Sequence, residues 1–476
     1  MIKKIIPASL LFILSITARA GESISLNDVS RLALENSLEV KIVKHDHLIK
    51  RYSLPKSYSI FDTYLNAQAS YRKDTKEQPS IVYGSENYEN IYKLEIEKRL
   101  PSGTKLNIGL QDTRSDSDSA FIALKPYHNV ISGITLSQPL ARNFLGVADR
   151  AAPKITQIDI INSGFASLDS IESHLLRAQL AYWKWVLKNE EYKIKQEFLQ
   201  TARELYSVYR DRQKMGLAEK AELLNSEANL KSRESELQTS ELEKQTALNE
   251  LLFLLDINEA DVEYIPADEL SVVPLKADIE KAVSKAAANR RDYKRMQNLA
   301  EINQIELVAA KNSRLPIIDL TASLKKNGID RYFTDALDKM QDESNNELFI
   351  GANFSISLEN KKAKSETGEA KLKAEKLIMQ TKLVERRMLL EVNDACLKIN
   401  TMASQVKLAR ALVETQSQKL SEQMKRFRQG RSDSDVLIRF EEDFLRSKLT
   451  LINYYFQYRS SAAALEQIQN TLLDKY

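Results

Sequence analysis

The chain reads as a mainly α protein with a minority of membrane-type β-strands, built from duplicated units of helix, strands and long helical hairpin. Three observations predict this class. From 361 to 476 apolar residues keep three-four spacing, interrupted only by Gly368 and Gly430 and by no proline. A pattern held that long marks extended packed helices rather than ordinary globular ones. Elsewhere short runs switch to strict alternation, the period of a half-buried strand. The whole order of elements is then stated a second time, which is the signature of internal duplication.

Composition agrees. The 476 residues include only 12 glycines and 10 prolines, and 28% are charged. Average usage would give about twice as many of each breaker, so much of the chain is solvated helix. A net charge of +3 gives no footing for nucleic-acid binding at this length. At the start, Lys3 and Lys4 precede an apolar run from Ile5 to Ile16, and Ala18-Arg19-Ala20 closes it with small residues. This predicts a signal peptide over 1–20, cut before Gly21. No other stretch approaches the 18 apolar residues of a membrane-spanning helix. Cys396 stands alone within an apolar helix face, which predicts a buried, inert thiol.

In chain order, Leu26, Val29, Leu32, Ala33, Asn36 and Val40 share one helical face, with Asp28 in the first turn and Pro55 as the expected end. Phe61, Thr63, Leu65, Ala67, Ala69 and Tyr71 then alternate against polar neighbours. After a loop around Pro79 and Gly84, Tyr92, Leu94 and Ile96 alternate with Lys93, Glu95 and Glu97. Pro101-Ser102-Gly103-Thr104 is a tight turn, and Leu106, Ile108 and Leu110 leave it as a further strand. A Ser- and Asp-rich loop is expected over 112–119, then a strand over 130–139. From 147 to 215 the period is helical, with Phe165, Leu175, Trp183, Leu187, Ile194 and Leu205 on the seam. Gly216 is the natural reversal, and Leu223, Leu230 and Leu237 continue at heptad spacing toward Asp256.

The connector, 257–274, holds Pro266 and Pro274. The second statement then begins. A helix is expected over 277–314, ended by Pro316, then a strand with Ile318, Leu320, Ala322 and Leu324. A loop is expected over 325–346, then Leu348, Ile350, Ala352, Phe354 and Ile356 as a strand. The repeats are thus 21–256 and 275–476. The first is longer by about 40 residues between its corresponding asparagine (Asn36 against Asn289) and its turn glycine. That surplus is the size of the strand pair around Pro101 to Thr104.

A signal peptide, strands of about ten residues, short turns at one end and long polar loops at the other describe an outer-membrane barrel. Open strand edges are not tolerated in lipid. Four strands per chain by a conservative count, or six with the pair around Pro101 to Thr104, both fall short of the eight that small barrels need, so several copies must close one barrel. A 69-residue helix would span roughly 100 Å, long enough to carry a hollow bundle across much of the periplasm.

At this point the sequence resembles the TolC family of outer-membrane efflux and export channels over essentially the whole mature chain. The resemblance rests on an arginine four residues before each turn glycine (Arg212 and Gly216, Arg426 and Gly430). Lys311-Asn312-Ser313-Arg314-Leu315-Pro316 entering a strand adds to it, as do Ser25-Leu26 leading to Ala33-Leu34-Glu35-Asn36 and Ser137-Gln138-Pro139-Leu140. It implies a homotrimer sharing one barrel in outer-membrane lipid and a periplasmic helical tunnel; the family's familiar barrels have twelve strands, and the surplus strand pair of this chain points to eighteen, with twelve the alternative. It implies docking on a periplasmic adaptor bound to an inner-membrane pump of RND or ABC type, with no cofactor. The docking turns would be Met215-Gly216-Leu217 and Gln429-Gly430-Arg431; a cap-only role for the glycines is the plainer alternative. The resemblance also places a periplasmic gate at Asp433 and Asp435, with Arg426, Arg428 and Arg431 as candidate partners of those carboxylates.

The gate region departs from the family. Its turn is about one residue shorter, Ile438 replaces a second aspartate, and Phe427 stands where a tyrosine can occur. The alternative for both acids is simple placement at a helix N-terminus, favoured by the dipole. No phosphate loop, nucleophile elbow or histidine cluster points to an enzyme. An exported coiled-coil scaffold or adhesin without a pore is the competing class. Drug, metal and protein cargo are equally compatible with the chain.

Overall fold

The computed structural model describes residues 22–258, 262, 264–342, 344–429 and 431–476. The predicted signal peptide and Gly430 therefore lie outside the described residues. The first half runs β1 (Glu22–Ile24), α1 (Leu26–Glu35), α2 (Leu38–Arg51), α3 (Ser53–Tyr58), β2 (Thr63–Asp74), β3 (Asn87–Arg99), β4 (Lys105–Ser117) and β5 (Tyr127–Pro139). Two long helices follow, α4 (Ala151–Lys214) and α5 (Lys220–Leu255). The second half runs β6 (Tyr264–Pro266), α6 (Ile279–Asn289), α7 (Arg291–Asn312), β7 (Ile317–Asp330), α8 (Phe333–Asp342), β8 (Asn346–Ser355), α9 (Lys361–Arg428) and α10 (Ser434–Ile468). Among the described residues no helix is long and apolar enough to cross a membrane.

Two compact units arise. One comprises the residues up to Lys44, Ser167–Arg291 and Arg386–Tyr476; the other comprises His45–Ala166 and Asp292–Glu385. In the first, Ser25 opens α1 with a reciprocal capping box to Asp28, which satisfies two otherwise orphaned donors. Val29 and Ala33 then pack with Leu175, Tyr182, Trp185, Leu251 and Leu255 in one apolar cluster. The buried Tyr182 hydroxyl donates to the Asp268 carboxylate at 2.7 Å, and burial pushes its phenol well above the ordinary value. Glu172 is fully buried yet satisfied: Arg291 donates at 2.6 Å, Asn470 and the Leu472 backbone N–H each at 2.8 Å. A buried carboxylate persists only with such partners.

The second unit is built on a six-stranded antiparallel sheet in the order β2-β3-β4-β5-β7-β8. Its register separates two faces. One row of facing residues crosses all six strands as Leu65, Ile96, Ile108, Ile134, Leu324 and Leu348. Side chains alternate along each strand, so Ala67, Leu94, Leu106, Leu136, Ala322 and Ile350 share that apolar face. The opposite face carries Asn66, Gln68, Glu95, Asn107, Thr135, Ser323 and Asn353. A cavity of about 730 Å³ is lined largely by polar residues of this second face, among them Lys93, Glu95, Asn107, Gln111 and Asn327.

Several expectations need correction. The helix expected through 53 breaks at Asn36, and Pro55 does not end it. Pro55 sits in the first turn of α3, where its missing N–H is not needed. The loop expected over 112–119 is strand as far as Ser117, because the β3 and β5 ladders carry it after the apolar alternation stops. The loop expected over 325–346 is the end of β7 followed by α8. Ala336 and Met340 of α8 pack on Val130 at the apolar face, and a methyl added at Gly328 would collide with the Ala336 carbonyl. The connector contributes β6, paired in parallel with β1. The helix expected over 277–314 breaks at Arg290, and α10 stops at Ile468, short of Leu472, where Asn470 takes a φ of 53°.

Candidate functional site at the hairpin turns

Both turns lie in the first unit. At the first, Gly216 has a φ of 72°, and its N–H donates to the Gln213 carbonyl at 2.9 Å. The Leu217 N–H donates to the Arg212 carbonyl at 2.8 Å. This is a Schellman closure, which consumes helix-end carbonyls and needs a left-handed residue where glycine stands. At the second turn the Arg431 N–H donates to the Arg426 carbonyl at 3.0 Å, the same bond at the same position. The carbonyls of Arg212 and Arg426 thus accept the same bond, from the residue five positions on, at both turns.

The side chains at the turns divide by character. Met215 and Leu217 are 65% and 72% exposed, an apolar pair held in solvent. Arg426, Arg428, Gln429 and Arg431 are exposed, and the last turn of α9 also carries Lys425. Beneath them, Leu205 and Tyr209 of α4, Phe427 of α9 and Leu437 of α10 form a buried cluster, joined by Leu223 of α5. All four long helices therefore meet there. Arg212 lies over the Tyr209 ring at 5.9 Å and the Phe427 ring at 5.7 Å, within cation–π range of both. Burial pushes the Tyr209 phenol up, partly offset by its hydrogen bond with Ser434.

Asp433 is the N-cap residue of α10, but its side chain makes no capping bond. Asp435 follows in the first turn and accepts a hydrogen bond from the Asn225 side chain of α5. Gln423 donates to the Ser432 hydroxyl just before it. Both aspartates are exposed. Among the described residues no salt bridge within the chain joins Arg426, Arg428 or Arg431 to either of them; the contact made is Asn225 to Asp435. Tyr209, Arg212, Asn225 and Ser432 were not singled out as gate residues in the sequence. The available signal was Tyr209 three residues before Arg212, on one face of α4.

No family model and no curated relative matches the chain. Solved structures do. The Campylobacter jejuni CmeC outer membrane channel is 17% identical, covering 94% of this chain and 86% of that one, with a TM-score of 0.68. CusC is 13% identical over 96% and 95%, with a TM-score of 0.69. The open-state MtrE outer membrane channel of Neisseria gonorrhoeae is 14% identical over 94% and 89%, with a TM-score of 0.67. The chain has the fold of the TolC-family outer-membrane channels. That fold accounts for the long hairpins and the single antiparallel sheet together, as the resemblance implied. In this TolC-type chain the sheet has six strands, with β3 and β4 inside it between β2 and β5.

Proposed function

We propose that this chain is the outer-membrane exit duct of a tripartite efflux pump or type I secretion system. Three copies close one barrel from their six-stranded sheets. The long helices of the repeats 21–256 and 275–476 supply the helical wall of the duct. The turns at Met215 to Leu217 and Gln429 to Arg431 dock on a periplasmic adaptor, which carries the inner-membrane pump. The duct itself is passive: it orients no reacting group and lends a polar-lined path.

The observation that carries this reading is the sheet. One face is a continuous apolar band, the other is polar, and β2 and β8 each pair along one side only. Every residue of β2 from Thr63 to Lys73 is exposed. Soluble proteins blunt such edges with prolines, bulges or covering elements; β2 has none over its 12 residues. An apolar outer face with a polar inner one is the pattern of a lipid-facing barrel wall. A pore-free scaffold has no use for it.

The test is extraction and conductance. The full chain, expressed in a Gram-negative host, should leave the outer membrane only in detergent, size as three chains, and give discrete conductance steps in planar bilayers. A soluble single chain without conductance would exclude the duct.

A further inference from the structure

The two bare edges differ in composition, and that difference selects how copies join. We infer that β8 of one chain pairs antiparallel with β2 of the next, in the register that sets Leu348 opposite the next copy's Tyr71. This rests on the shared-barrel reading above and adds the register of the seam. Direction follows from topology. All five pairings are antiparallel across six strands, so β8 runs opposite to β2 and can continue the same ladder.

Face comes next. On β2 the apolar face is Leu65, Ala67, Ala69 and Tyr71; on β8 it is Leu348, Ile350, Ala352 and Phe354. A slip of one residue would turn every apolar side chain into the polar interior, so only slips of two need comparison. The inferred register matches the quartets one to one: Leu348 with Tyr71, Ile350 with Ala69, Ala352 with Ala67, Phe354 with Leu65. On the polar face it sets Glu347 opposite Arg72, a favourable cross-strand charge pair. Within one chain Arg72 is itself 64% exposed and already pairs with Asp74 at 2.8 Å and Glu89 at 3.7 Å, so Glu347 would join that charge network. A slip of two residues one way brings Glu347 against Asp74, two like charges. The other way sets Phe354 against Thr63 and leaves Glu347 facing Ser70.

Barrel geometry is an independent check. The row that starts at Leu65 reaches Leu348 on β8 and, through the inferred seam, returns to β2 at Tyr71. The chain thus advances by one residue of stagger per strand. With about 3.4 Å of rise per residue and about 4.8 Å between strands, the strands tilt by about 35°, as closed membrane barrels require. The slip toward Thr63 gives about 25° by the same relation, too shallow for closure. Tilt removes one alternative and charge removes the other.

Cysteine pairs test the seam in the full chain carrying Cys396→Ala. Ala352→Cys with Ala67→Cys, and Asn353→Cys with Asn66→Cys, sample opposite faces of the inferred register. Ala352→Cys with Ala69→Cys or with Leu65→Cys samples the two slipped registers. After oxidation in outer membranes, at least one of the first two pairs should give a covalent trimer, at about fivefold or greater yield over the slipped pairs. Directly opposed Cβ atoms sit about 4.5–5.5 Å apart and diagonal ones about 7–8 Å. In parallel, Arg72→Glu should weaken the trimer and Glu347→Arg should restore it. Preferential linking of a slipped pair overturns the register. A trimer that links in none of the pairs overturns the inferred register while leaving the duct intact. An unlinked single chain overturns the seam and the duct together.

Discussion

Glu441→Gln should remove a pH dependence from the hairpin helices. Glu441 lies on α10, is only 4% exposed, and its Oε1 has no hydrogen-bond partner. Burial raises its carboxyl from the ordinary 4.5 to about 7, with Arg233 opposing. That arginine is already engaged, donating twice to Glu236 at 3.0 Å and to Glu442 at 3.4 Å. The sign follows from linkage. The folded state holds this proton more tightly than the unfolded chain, so the packing is strongest below pH 4.5. It weakens as pH rises through the interval to about 7, and stays weakened above. At about 1.4 kcal/mol per pH unit, the interval amounts to about 3 kcal/mol per chain, or roughly a hundredfold in an opening equilibrium. Hydrogen exchange of α5 and α10 in the assembled protein, corrected for intrinsic rates, reads it directly. Protection in the parent should fall between pH 5 and pH 8, while Glu441→Gln stays flat and is better protected at pH 8. An equal fall in both proteins would refute the reasoning.

Other perturbations address the turns. Arg212→Ala removes the cation between Tyr209 and Phe427; it should cost about 0.5–2 kcal/mol of local stability and raise the open fraction in planar bilayers. Asp435→Ala should weaken divalent-cation block of conductance while trimers still form; unchanged block would make Asp435 a helix-end acid and place the gate elsewhere. Gly216→Ala meets no neighbouring atom but forces a φ of 72° on a side chain, so it should cost about 1–2 kcal/mol, read as faster exchange confined to the first turn.

The legible part of the fold is the part in which burial is periodic. Heptad apolar positions gave the long helices, and Leu94, Ile96, Ile108, Leu324 and Ile350 gave the strands, because one face of each had to be apolar. Where the apolar alternation lapses, at Asp112 to Ser117 and Lys325 to Asp330, the ladder continues on backbone bonds and polar side-chain contacts such as His128 with Asp112, and the pattern is silent. The ten residues of α8 sit between two strand runs and are fixed by docking on Val130 and over Gly328. The pairing of β1 with β6 joins residues about 240 apart in sequence, beyond any local signal. At the first turn, Gly216 was readable because the left-handed backbone there demands it. The Arg212 contacts and the Asn225 bond to Asp435 were not, since they depend on which helices meet.

The central claim is that this chain closes a membrane barrel only in threes. Electron cryomicroscopy of the detergent-extracted protein, viewed down the barrel, tests it most directly. The account predicts eighteen strands in one closed wall about 34 Å across, six from each chain. A wall of twelve strands with β3 and β4 folded outside it, or a sheet that remains open in a single chain, would contradict it.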